Sequence, residues 1–226
     1  MEEIVFVGAG QTIEEPAPKL LNLLGTSLSL AKSRGHLHSI HIEASQRGLI
    51  VVVLLAVQAA QLSLRRLSFF PHGGSCTETI DTYRKTNLEA LAPCLENVTE
   101  SSWSLTTDPK QVADEAERSE TEGAQNIAAI RQVLGMVSRV EKLDLLWFKT
   151  APRREPEAHF FEACTESLLA MSRLEECSIR GIFATQHGLQ EFLEHTLATK
   201  ITLRAIHLSE GNYRPMLSVI TSGKFR

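Results

Sequence analysis

Four sets of residues have the side-chain types and spacing that chemistry needs. The first is Ile4 to Gly10, IVFVGAG, a β-type run ending in Gly8 and Gly10. Gly-x-Gly behind a strand lets backbone approach a pyrophosphate, whose charge then meets the N-terminus of the next helix. Glu43 closes a second β-type run, where a ribose-binding acid would stand. However, the third glycine place is Ile13, and Pro16 and Pro18 interrupt the helix that should receive the phosphates. The second set is His36, His38 and His41. Only His36 and His38 share a strand face, so a third metal ligand is lacking. The third is His187, Glu191 and His195, four apart on one helix face. That spacing suits a metal, and equally makes ordinary pairs on a solvated face. The fourth is Cys76, Cys94, Cys164 and Cys177, which fall in no paired metal-binding spacing. No Gly-x-Ser-x-Gly elbow, CxxC pair or phosphate loop occurs. The expectation is a chain that is not an enzyme and carries no cofactor or metal.

What would position such residues is a recurring unit. The phrase apolar, two residues, apolar, one residue, apolar appears at Leu37, Ile40, Ile42 and at Leu64, Leu67, Phe69. It returns at Val140, Leu143, Leu145 and at Leu174, Cys177, Ile179. Weaker copies are Leu95, Val98, Glu100 and Ala198, Ile201, Leu203. With 43% apolar residues the phrase alone recurs by chance; its alternation with amphipathic helices carries the weight. Stripes at three-four spacing include Leu20, Leu24, Leu28; Ile127, Ile130, Leu134, Val137; Phe160, Cys164, Leu168; and Leu189, Phe192, Leu193. The starts are 27, 31, 45, 34 and 24 residues apart. The long interval holds 101–123 with its run DEAERSETE, read as an acidic mobile insertion. The fold class expected is α/β, a leucine-rich-repeat-like solenoid of alternating helices and short parallel strands. It forms one repeat domain over 1–226, with 1–34 as an N-terminal cap.

Net charge of −4 gives no strong pull toward nucleic acid or anionic lipid. Trp103 and Trp147 are too isolated for a base-stacking platform. The run LIVVVLLAVQAA from Leu49 is twelve residues, short of the roughly 20 that cross a bilayer, and reads as a buried core helix. The opening Met1-Glu2-Glu3 lacks the basic-then-apolar layout of a signal peptide, so a cytoplasmic or nuclear setting is expected, with no membrane and no nucleic acid as partner.

The C-terminal part carries a family likeness. Arg180-Gly181-Ile182 closes a strand, and Leu189 with Phe192-Leu193 marks the helix behind it. Leu203, Ile206 and Leu208 mark a second strand before Gly211 and Tyr213. This pattern resembles the leucine-rich-repeat-like region of fungal F-box proteins over about 50 residues. The resemblance implies the substrate-binding region of a ubiquitin ligase receptor. The first 45 residues do not supply an F-box, and the asparagine that ends the usual repeat phrase is missing. Turns between repeats must then be satisfied in another way.

Alternation along each strand turns the residues flanking the buried pair toward an open face. That face is expected to carry Ser39, His41, Glu43; Arg66, Ser68, Phe70; Asn97, Thr99, Ser101; Lys142, Asp144, Leu146; Glu176, Ser178, Arg180; and Lys200, Thr202, Arg204. The candidate partner-binding residues are His41, Arg66, Phe70, Asp144, Leu146, Arg180 and Arg204, facing an unidentified protein. Arg180 and Arg204 suit an acidic partner, with Glu176 near enough to neutralise them. Two alternatives stand beside this scaffold: a nucleotide-binding enzyme using Gly8 and Gly10, and a degenerate repeat fragment without independent function.

Overall fold

The computed structural model describes residues 3–8, 18–33, 37–44, 49–69, 78–79, 89–106, 128, 131–147 and 158–225. Alternating apolar residues make strands, and stripes at three-four spacing make the helices between them. In order come β1 (Glu3–Gly8), α1 (Pro18–Ser33), β2 (Ser39–Ala44), α2 (Leu49–Ala60), β3 (Arg66–Phe69) and the short β4 (Glu78–Thr79). A 3-10 turn and α3 (Ala92–Leu95) precede β5 (Glu100–Thr106), and a helical stretch at 131–136 precedes β6 (Lys142–Trp147). Then follow α4 (Ala158–Leu169), β7 (Glu176–Arg180), β8 (Phe183–Thr185), α5 (Gln186–His195), β9 (Lys200–Arg204), β10 (His207–Glu210) and α6 (Arg214–Val219).

The chain is α/β with a parallel sheet. Its strand order is β1-β2-β3-β5-β6-β7-β9, with β4 beside β5, and β8 and β10 forming a separate parallel pair. Along that path the described strands follow chain order, β1 and β9 are the two edges, and the order never reverses. A doubly wound sheet reverses, and its ligand sits at that reversal. Here Gly8 ends an edge strand and α1 begins only at Pro18; Gly10 lies outside the described residues.

The register runs unbroken. Ser39 pairs with Arg66, Arg66 with Glu100, Glu100 with Lys142, Lys142 with Glu176 and Glu176 with Lys200. One main-chain junction recurs before these strands. The His38 carbonyl accepts from the N–H of Arg65 and Arg66, and the Arg65 carbonyl from Thr99 and Glu100. The carbonyls of Thr99, Glu141 and Glu175 do the same for the next three strands, at 2.8–3.1 Å. This ladder of shared carbonyls satisfies the turns that lack asparagine.

One face of the sheet is the core. Ile40, Ile42, Leu67, Phe69, Leu145 and Ile179 are fully buried, with Leu143 and Cys177 nearly so. Helix residues close over them: Leu28 from α1, Val53 and Val57 from α2, Leu134 and Val137, Phe161 and Cys164 from α4, Leu189 and Phe192 from α5. The helix layer is continuous where α1 packs on α2, α4 on α5 and α5 on α6. The run from Leu49 is a core helix, as expected, with Val52, Val53, Ala56 and Val57 fully buried. No helix among the described residues is long and apolar enough to cross a membrane.

Two readings need correction. The fourth strand begins at Glu100, so the phrase there is Val98, Ser101, Trp103 rather than Leu95, Val98, Glu100. Ser101 takes an apolar place by donating its hydroxyl to the Leu67 carbonyl at 3.3 Å. Trp103 fills the next place, its ring 4.7 Å from that of Phe69. Leu95 is buried in α3 instead. The open-face residues of β5 therefore include Glu100 and Ser102, not Asn97, Thr99 and Ser101. Second, β5 takes residues 101–106 of the stretch read as an insertion; 107–123 lies outside the described residues. The stretch 1–34 contributes β1, paired with β2 from Glu3 to Gly8, and α1.

Candidate functional site

The described helices leave the other face of the sheet open, and its side chains stand in rows across the strands. The first row is Arg66, Glu100, Lys142, Glu176 and Lys200, a strict alternation of sign. Arg66 Nε lies 3.0 Å from Glu100, and Lys142 Nζ 3.9 Å from the same carboxylate. Lys200 Nζ donates to Glu176 at 2.9 Å. That hydrogen bond, and then the charges of Lys200 and Lys142, holds Glu176 below the usual carboxylate value. Opposite charges on neighbouring strands attract, so the row also favours the observed register.

The second row is His41, Ser68, Ser102, Asp144, Ser178 and Thr202. It is small and polar apart from His41, and its members are half-buried or, for Ser102, buried. The first two rows line a shallow depression of about 280 Å³ between Ser68 and Thr202. In the third row Leu146 pairs with Arg180 and Arg180 with Arg204. Arg180 reaches diagonally back to Asp144: its Nε and Nη2 donate to Oδ1 and Oδ2 at 3.2 and 2.7 Å. The sequence pointed to Glu176 as its neutraliser. The register instead gives Glu176 to Lys200 and leaves Asp144 for Arg180. Arg204 is exposed and forms no ion pair among the described residues.

Six of the seven named residues thus share one face: His41, Arg66, Asp144, Leu146, Arg180 and Arg204. Asp144, Leu146, Arg180 and Arg204 form a cluster toward the C-terminal edge. His41 and Arg66 stand on β2 and β3, away from it. Phe70 lies outside the described residues. Sequence reasoning placed Glu176 and Lys200 on this face without making them candidates and missed Glu100 and Ser102; the alternating sign at one register position is the signal that finds Glu100.

Among the described residues no group of three or more His, Cys, Asp or Glu is placed to hold a metal ion. His195 Nδ1 lies 2.9 Å from the Glu191 carbonyl, a contact within its own helix. Burial pushes the thiols of Cys164 and Cys177 up to about 12 and raises that of Cys94, which disfavours the reactive thiolate. No family model and no curated protein matches the chain.

Proposed function

We propose that this chain is a leucine-rich-repeat-like solenoid acting as a non-enzymatic protein-recognition scaffold through its open strand face. The reading keeps the likeness to the substrate-binding region of F-box/leucine-rich-repeat proteins as its origin. The observation that carries it is the pairing of two faces on one monotonic sheet. The covered face is apolar from β2 to β7 except at Ser101, whose hydroxyl is bonded to the Leu67 carbonyl, while the open face is patterned in sign and hydroxyls across five strands. A face held rigid from behind, polar yet largely neutralised within itself, suits selective contact with a folded or extended polypeptide. Leu146 supplies its apolar contact, and Arg204 its open charge.

The test is a pull-down from lysate. The chain is compared with Leu146→Asp/Arg204→Glu, after circular dichroism and urea unfolding show that both are folded. A partner retained by the parent chain and lost from the variant supports the reading. Equal recovery of every partner removes the open face from recognition.

A further inference from the structure

The β9 edge of the sheet has a feature that the open face does not explain. Lys200 N–H donates to the Glu175 carbonyl, and the Arg204 carbonyl accepts from Gly181, so these residues turn their backbone toward β7. By strand alternation Ile201 and Leu203 turn theirs outward. No described strand pairs with that side. Ile201 and Leu203 are only half-buried, whereas Cys177 and Ile179 beside them in β7 are buried, and Lys200 and Arg204 are exposed. An edge of this kind is a template for strand addition.

The charges define what it accepts. The first row ends on Lys200 after alternating sign from Arg66 onward, so the next strand position calls for an acid. The third row ends on Arg204, which has no partner there and stands beside Arg180. A second copy of the chain fits poorly. Antiparallel self-pairing about Thr202 would set Lys200 against Arg204 twice, and like charges directly opposite are destabilising.

We infer that the outer edge of β9 binds an extended segment of another protein with acidic residues four apart, separated by apolar, small polar and apolar residues. The acids meet Lys200 and Arg204, and the apolar pair covers Ile201 and Leu203. The spacing is the same for a parallel or an antiparallel strand. This goes beyond the strand-face reading and uses backbone that the face does not.

The probe is the peptide Gly-Glu-Val-Thr-Val-Glu-Gly with blocked ends, titrated into the full chain and followed by amide NMR. The expected result is that the Ile201 and Leu203 amides shift and exchange more slowly with solvent. Arg204→Glu should weaken binding about five-fold, and a peptide with one lysine, in place of the glutamate that faces position 204, should recover it on that variant. N-methylation along the five core residues should abolish binding. Unchanged Ile201 and Leu203 amides, equal binding of the N-methylated peptide, or a lysine peptide preferred by the parent chain would each overturn the proposal. So would a dimer in sedimentation that itself slows exchange of the Ile201 and Leu203 amides. Leu146 stands two strands from this edge, so loss of a lysate partner from Leu146→Asp alone reports on the face and the N-methylated peptide on the edge, and the two failures are read separately.

Discussion

Replacing Asp144 by asparagine keeps its size and leaves Arg180 a neutral acceptor. Arg180 holds Asp144 through two hydrogen bonds, with side chains 23% and 31% exposed. Fully exposed pairs contribute about 0.2–1 kcal/mol, and breaking a buried pair costs about 3–5 kcal/mol. This pair lies nearer the exposed case, with bidentate geometry in its favour. Asp144 also offsets the like charges of Arg180 and Arg204, which are directly paired across β7 and β9. The expected loss is about 1–1.5 kcal/mol, or roughly 3 °C in Tm for a domain of this size. Urea unfolding of Asp144→Asn, Arg180→Gln and the double variant closes a cycle, with a coupling of about 1 kcal/mol expected. A coupling below about 0.3 kcal/mol would refute the reasoning. A larger coupling of Arg180 to Glu176 than to Asp144 would refute it as well.

Glu100→Lys places three cations side by side across β3, β5 and β6. It should cost about 1 kcal/mol in dilute buffer, recovered largely in 1 M salt because the Debye length there is about 3 Å. Salt-independent loss would point to backbone damage instead. Ala205 adopts φ 50° just after β9, where Gly181 after β7 adopts φ 73°. Ala205→Gly should therefore stabilise by about 0.5–1 kcal/mol in thermal unfolding. Lys32 Nζ donates to the carbonyls of Ala60 and Gln61 at the end of α2, at 3.2 and 2.7 Å. Lys32→Met should cost about 1 kcal/mol in urea unfolding. Cys164 and Cys177 have folded values raised to about 12 from 9.0. Their stabilising contribution is complete below pH 9 and falls as pH rises toward 12. Cys177→Ala should flatten the decline of stability between pH 9 and 11, and both thiols should resist alkylation at pH 8 until the chain unfolds.

The alternation of strand and helix was legible because five of the strands put plain apolar residues at both inward places. The rows from Lys142, Glu176 and Lys200 onward followed at once from period two. The β5 register was not legible, because Ser101 is polar where its neighbours Leu67 and Leu143 are apolar. Its burial depends on a carbonyl supplied by β3, which sequence alone does not reveal. Spacing offered a clue: Leu64 to Val98 is the same 34 residues as Val140 to Leu174. β1, in the stretch read as a cap, stands at one edge of the sheet, with Ile4 at its inward place beside Ile40. β8 escaped because a strand of three residues shows too little periodicity, and the strand read over Leu203, Ile206 and Leu208 is divided at Ala205 between β9 and β10. The Asp144–Arg180 pair was missed because it is diagonal, and only a long side chain on a known register reaches it.

The central claim is that partners meet the open strand face, not the helices behind it. The most direct measurement is hydrogen exchange on the chain, alone and in complex with whatever partner the pull-down retains. The account predicts slowed exchange over Lys142–Trp147, Glu176–Arg180 and Lys200–Arg204, with α4 and α5 unchanged. Protection confined to Ala158–Leu169 and Gln186–His195, with the strands unaffected, would contradict it.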